Sequence, residues 1–323
     1  MDVITANRFA KWRDKLIFGA DTPARSANMD VVDLRVFEVV ARHGSMNRAA
    51  AELHTVQSNV TVRIRSLERD VGVPLFLRHT HGVSMTTAGQ RLLPFSARIA
   101  KMVSDARLAA RDDGTPGGTL TLGTLETTAA LRLPPILRNF ADAHPQVKLS
   151  LTTGTTCGLT ADVAECRLDG AFVAGPVNHP ELEAESIFRE ELVLVTPRPM
   201  RSLEQIDSMP DLKIIVFRLG CSYRRRLESL LVEMGMQTAM PLEFASIDAI
   251  VACVGAGIGV TLLPRGIVSA AARSGQVKLH ALSPDNAQVD SVFIRRRDAF
   301  MTSAMRAFLA AARCQFEPVS VAA

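Results

Sequence analysis

Apolar positions fall into helical register from residue 34 onward. Leu34, Phe37, Val40 and Ala41 form one stripe with Asp33 as its N-cap. His43-Gly44-Ser45 ends it, since Gly44 suits the left-handed backbone that closes a helix. Residues 46–53 predict a second short helix capped by Ser45, and Ala49-Ala50-Ala51 lets a neighbour approach it closely. After the tight turn His54-Thr55 a third helix runs over about 56–71, with Val60, Ile64, Leu67 and Val71 inward at spacings of four, three and four. Residues 75–78 and 82–85 read as a small hairpin turning near His81-Gly82. Thr86-Thr87-Ala88-Gly89 then opens a helix reaching about Arg111. On it Leu92, Phe95, Ile99, Met102, Ala106 and Ala109 recur at three and four, a heptad seam suited to a second copy of the chain.

Asp112-Asp113-Gly114-Thr115-Pro116-Gly117-Gly118 breaks the helical pattern and reads as a flexible connector. From 119 to 313 short apolar runs alternate with helical ones. Strands are predicted at 120–125, 147–152, 170–173, 192–196, 214–217, 242–244, 257–263 and 289–295. Helices are predicted at 127–140, 156–166, 222–234, 247–254 and 300–313. That alternation predicts an α/β domain with mainly parallel strands. The expected fold is therefore α/β overall, with an all-α N-terminal part.

The chain has 323 residues, 47% hydrophobic and 22% charged, enough for two domains with their own cores. Charge divides unevenly. Residues 1–118 hold 17 Lys+Arg against 12 Asp+Glu, while 119–323 hold 20 against 21, so the positive excess lies in the first third and suggests a polyanionic partner there. The cysteines, Cys157, Cys166, Cys221, Cys253 and Cys314, are odd in number and form no C-x-x-C. Free thiols in a reducing cytoplasm are expected, not zinc. The most apolar run, 249–263, is interrupted by three glycines and is shorter than the roughly 20 residues that span a bilayer. Charges at Asp2, Arg8, Lys11, Arg13, Asp14 and Lys15 leave no secretory signal. A cytoplasmic protein with no membrane partner is expected.

Two short helices, a tight turn and a third helix with a polar face suggest a helix-turn-helix. Gln57, Ser58, Asn59, Thr61, Arg63 and Arg65 on that face are residue types that bond base edges and phosphates of double-stranded DNA. A solvated helical hairpin would show the same pattern. Arg78 and His79 on the hairpin are placed to reach phosphates. His79 and His81 lack a third ligand nearby, so no metal is assigned.

Specific motifs narrow this further. Leu34-x-x-Phe37, Gly44-Ser45-Met46-Asn47-Arg48-Ala49-Ala50, Gln57-Ser58-Asn59-Val60-Thr61, Leu67-Glu68, Gly72-Val73-Pro74-Leu75-Phe76-x-Arg78 and Thr86-x-Ala88-Gly89 follow in order. Over 29–95 the chain resembles the winged helix-turn-helix of LysR-type transcriptional regulators, departing mildly at Thr61, where serine is commoner. The resemblance adds Ser45, Asn47 and Arg48 to the DNA-binding set. It implies a DNA-binding domain over 29–87, a dimerising linker helix over 88–113, and an effector domain over 119–313. It also implies a tetramer built from dimers and RNA polymerase as the downstream partner. Residues 1–28 fit no element of the family, which makes Met29 a candidate start; 314–323 would be a tail.

The effector domain is expected to have two lobes, like type 2 periplasmic binding proteins. Lobe I would take about 119–196 and 289–313, and lobe II about 197–288, with 192–196 and 289–295 as crossovers. Leu125-Glu126-Thr127-Thr128-Ala129, Gly170-Ala171-Phe172-Val173-x-Gly175-Pro176, Phe188-Arg189-Glu190-Glu191-Leu192 and Phe217-Arg218-x-x-Cys221-Ser222-Tyr223-Arg224-Arg225 resemble a subgroup that includes regulators of putrescine use and sulfur oxidation. Ligands of open α/β sheets bind beyond strand C-termini. That rule points to Glu126, Thr127, Thr128, Thr153, Thr155 and Thr156, and across the cleft to Cys221, Ser222, Tyr223, Arg224, Ser246 and Asp248. Arg224 would suit an anion, whereas Glu126 and Asp248 would suit a diamine. No G-x-S-x-G, H-E-x-x-H, P-loop or Ser/His/Asp grouping is found, and Gly255-x-Gly257-x-Gly259 follows a helix rather than a strand. A regulator without cofactor is expected over an enzyme or a non-sensing scaffold.

Overall fold

The computed structural model describes residues 29–80, 82–200, 213–235 and 241–314. The N-terminal extension, His81 and most of the expected tail lie outside them. The chain divides into two compact units at Ala100/Lys101.

The first unit begins with α1 (Val31–His43), α2 (Met46–Glu52) and α3 (Gln57–Val71). The N-cap of α1 is Asp30, not Asp33: its carboxylate accepts the Val32 N–H at 2.9 Å. Asp33 sits in the first turn, buried, because Val31 and Val32 extend the helix backwards. Gly44 closes α1 at φ +60 and Gly72 closes α3 at φ +80, both in the left-handed region open to glycine. Ser45 caps α2 as expected, its hydroxyl accepting the Arg48 N–H. Leu34, Phe37, Ala49, Val60, Ile64, Leu67 and Leu75 are fully buried against one another. Strands β1 (Phe76–His79) and β2 (Gly82–Met85) pair antiparallel from Phe76↔Met85 to His79↔Gly82, so the chain reverses before Gly82 rather than at it. The Glu68 carboxylate accepts the N–H groups of Leu75 (2.8 Å) and Phe76 (3.2 Å), which ties this hairpin to α3.

Helix α4 (Thr87–Arg111) follows, opened by Thr86, whose hydroxyl accepts the Gly89 N–H. The expected seam divides along its length. Leu92 and Ile99 pack on the core beneath α4, whereas Phe95 is 58% exposed and Met102 65%. Positions three apart lie about 60° apart around a helix, so one edge of the stripe can face inward while the other stays open.

The second unit holds β3 (Gly118–Thr124), α5 (Glu126–Leu131), α6 (Leu133–Ala143), β4 (Val147–Thr153), α7 (Thr156–Ala164), β5 (Gly170–Ala174) and β6 (Leu182–Pro197). It continues through β7 (Lys213–Phe217), α8 (Ser222–Glu233), β8 (Leu242–Phe244), α9 (Ile247–Gly255), β9 (Gly259–Pro264), α10 (Arg265–Arg273), β10 (Val277–Ala281), α11 (Pro284–Ala287), β11 (Gln288–Arg296) and α12 (Ser303–Cys314). Strand order is β4-β3-β5-β11-β6-β9-β7-β8, with β10 also on β6. The sheet is mixed rather than mainly parallel. β3 runs parallel to β4 and β5, and β7 parallel to β8 and β9, but β6 and β11 pair antiparallel with each other and with all their other neighbours.

The 16-residue β6 is far longer than the strand predicted at 192–196, because its first half alternates polar and apolar on an exposed face. Residues 182–191 pair with β11, and 192–197 pair with β9 and β10, so β6 carries the chain from one lobe into the other. The single helix predicted at 127–140 is two helices meeting at Arg132. Pro134 and Pro135 have no N–H to donate to the preceding turn and restart the helix instead. Helix α12 starts at Ser303, whose N–H and hydroxyl both donate to Asp112, so the connector is fastened at that point. Gly259 is required by packing: a Cβ there would lie 2.0 Å from the Lys213 carbonyl.

Candidate functional site

In the first unit Ser45, Asn47, Gln57, Arg78 and His79 come together around one open groove with Met46, Thr80, Gly82 and Val83. The groove thus joins the start of α2, the start of α3 and the hairpin. Val56, the N-cap of α3, offers no side-chain acceptor, so the first N–H groups of that helix face outward, a favourable place for a phosphate. Gln57 Nε2 donates to Thr61 Oγ1 and Asn59 Nδ2 donates to Thr55 Oγ1, both at 3.0 Å, which orients the amides. Arg63 does not extend freely. Its Nη1 donates to Asp33 at 2.8 Å and holds α3 against α1.

In the second unit a cavity of about 170 Å³ lies where the C-terminal ends of β3, β4, β7 and β8 converge. Leu125, Glu126, Thr127, Thr153, Gly154 and Thr155 line it from lobe I. Phe217, Arg218, Cys221, Ser222, Tyr223, Phe244 and Ala245 line it from lobe II. The lobes meet at its edge. Thr127 Oγ1 donates to the Tyr223 hydroxyl at 3.5 Å, and the Cys157 N–H donates to the Gly220 carbonyl at 3.3 Å. Burial pushes the Tyr223 phenol up to about 12 and raises the Cys221 thiol as well. Both stay protonated near neutrality and act as hydrogen-bonding, not charged, groups.

The residues 31–90 match the model of the bacterial regulatory helix-turn-helix protein, lysR family, and 113–317 match the LysR substrate binding domain. The chain belongs to the LysR family. It is 39% identical over 289 residues to the HTH-type transcriptional regulator GltR of Bacillus subtilis (strain 168), covering 90% of this chain and 98% of that protein. It is 38% identical over 281 residues to the HTH-type transcriptional regulator CzcR of Bacillus cereus, covering 87% and 96%. The crystal structure of full-length CbnR with its target DNA superposes with TM-score 0.59 at 25% identity, over 89% of this chain and all of that one. This LysR-family chain is a DNA-binding transcriptional regulator with an effector-binding domain.

Most of the effector residues expected from sequence line the cavity of this LysR-family domain: Glu126, Thr127, Thr153, Thr155, Cys221, Ser222 and Tyr223. The others do not. Thr128 is buried two positions past Glu126, turned to the other side of its helix, and Thr156 is buried with its hydroxyl unpaired. Arg224 lies one helical step past Tyr223, which swings it about 100° outward, where Glu228 and Glu243 hold it. It is not available to an anion in the cavity. Ser246 caps α9 by accepting the Ala249 N–H, and Asp248 is exposed beyond it.

Arg218, outside the set expected from sequence, directly follows β7 and obeys the same strand-end rule as the rest. Phe217, Phe244 and Ala245 were missed as apolar wall. Among the described residues no group of three or more His, Cys, Asp or Glu is arranged to hold a metal ion. No described helix is long and apolar enough to cross a membrane.

Proposed function

We propose that this chain is a cytoplasmic, ligand-responsive regulator whose α3 enters the major groove and whose cavity takes a small polar effector. Gln57, Ser58, Asn59, Thr61 and Arg65 would meet base edges and phosphates, with Ser45, Asn47, Arg48, Arg78 and His79 contributing from α2 and the hairpin. The open edge of α4 would pair two copies, and two such dimers would make a tetramer. An effector bound more tightly in one lobe arrangement would shift the protomers, the spacing of their recognition helices, and so DNA bending and RNA polymerase access.

What supports this reading is the cavity lined by both lobes at strand C-termini, the location where open α/β sheets take ligands. Footprinting of the full chain on its own promoter, with and without a small-molecule extract of the cell, tests it. The expected result is an altered footprint for the wild type and none for Tyr223→Ala. A normal response in both Tyr223→Ala and Glu126→Gln discards the cavity. Arg65→Ala is expected to weaken operator binding more than Arg63→Ala, because Asp33 already engages Arg63.

A further inference from the structure

Of the residues lining the cavity, Glu126 and Arg218 are the two that carry formal charge. Glu126 opens α5 in lobe I, and Arg218 follows β7 in lobe II. Neither makes a side-chain hydrogen bond or ion pair among the described residues. Other charged groups of the domain do find partners of opposite sign. Arg132 holds Glu190, Arg265 holds Glu191 and Arg313 holds Glu185, each through two nitrogens. Arg189, Arg224 and Arg296 are paired too. Glu126 and Arg218 face one cavity from opposite walls and do not meet.

The remaining polar lining is uncharged: the hydroxyls of Thr127, Thr153, Thr155, Ser222 and Tyr223 and the Cys221 thiol. A diamine in this space would set its second ammonium against Arg218, and a dicarboxylate would set its second carboxylate against Glu126. Each leaves one like-charge contact and one unmet protein charge. A molecule with one charge of each sign meets both and brings no net charge into the cleft.

Given the cavity as the effector site, we infer that its ligand carries both an ammonium and a carboxylate: a small free amino acid or ω-amino acid bridging the lobes from Glu126 to Arg218. The amine donates to the Glu126 carboxylate, and the guanidinium fork takes the ligand carboxylate, both charge-assisted. The ligand then replaces a missing ion pair between lobes, which couples its binding to their closure.

Calorimetric titration of the full chain tests this. The probes are the common free amino acids and short straight-chain ω-amino acids, beside diamines and dicarboxylates of matched length. At least one zwitterion is expected to bind, with its matched diamine and dicarboxylate weaker by about tenfold or more. Glu126→Gln and Arg218→Gln should each weaken that zwitterion by about tenfold, and Arg218→Lys should recover most of the loss. A diamine or dicarboxylate binding equally well, unchanged affinity in both Gln variants, or binding by none of the three sets overturns the assignment. Ala245→Trp, which fills the cavity, separates the two levels. If it abolishes binding of a diamine, the cavity stands and the zwitterion falls; if zwitterion binding survives it, the cavity itself is wrong.

Discussion

Glu38 illustrates how one side chain can be held at a cost. It lies on α1, half-buried beside Ser96 of α4, and one of its carboxylate oxygens is buried without a partner. Burial raises its pKa above the ordinary carboxylate value, against the opposing pull of Ser96, Arg42 and Arg35. A carboxyl raised on folding stabilises most when protonated, below its unfolded value, and that contribution is lost as pH rises through the folded value. Near neutrality the charge is therefore a burden. Glu38→Gln is expected to raise the melting temperature at pH 7.5, by about 1 kcal/mol of stability at most because solvent screens a half-exposed group. The gain should shrink as pH falls toward the ordinary carboxylate range and vanish below it. Thermal melts of both proteins across that range check the sign; a gain that grows toward acid would refute it.

Helix α4 makes a prediction of a different order. Its inward edge, Leu92 and Ile99, is satisfied by its own unit, while Phe95, Met102, Ala106 and Ala109 form an open stripe. Burying large side chains is worth about 1.5–3 kcal/mol each, and a two-fold interface counts every one twice. Phe95→Asp or Met102→Glu should then weaken self-association by at least about tenfold, read by sedimentation at several protein concentrations. Unchanged association would move the interface off this helix. The same helix marks what a sequence can tell. Its heptad period and the stripes of α1 and α3 were readable because a single apolar face dictates them. Which edge of a stripe is used depends on partners far along the chain, and periodicity carries no such information. The break at Arg132 is encoded in Pro134-Pro135, which an apolar period running through both helices masks. The strand from 182 to 191 was hidden because its exposed alternation, Leu182-Glu183-Ala184-Glu185, resembles a polar loop when read without β11 beside it. At the cavity the strand-end rule located most of the lining, but placing Arg224 outward needed the helix phase fixed by Tyr223.

The second unit is organised around β6 and β11, which pair from Gln288↔Glu191 to Arg296↔Leu182, with one irregularity between Ser291 and Val292. Arg296 anchors the far end of this ribbon. It donates to the Ala164 carbonyl at 2.6 Å and pairs with Glu181 and Asp298, which hold its pKa above the ordinary arginine value. Beyond residue 191 the same strand continues into lobe II, where Leu192 to Val195 are fully buried. Amides of 192–195 are expected to exchange slowly with solvent both with and without ligand, whereas those at the cavity rim, 154–157 and 218–221, should slow only on binding. Equal slowing in both places would mean the lobes open by unzipping the sheet. A hinge made of separate loops swings with little resistance, whereas a strand hydrogen-bonded to neighbours on both sides of the crossing bends like a leaf spring. It stores a little of any displacement and returns it, so the regulator would reset on its own once its signal is gone.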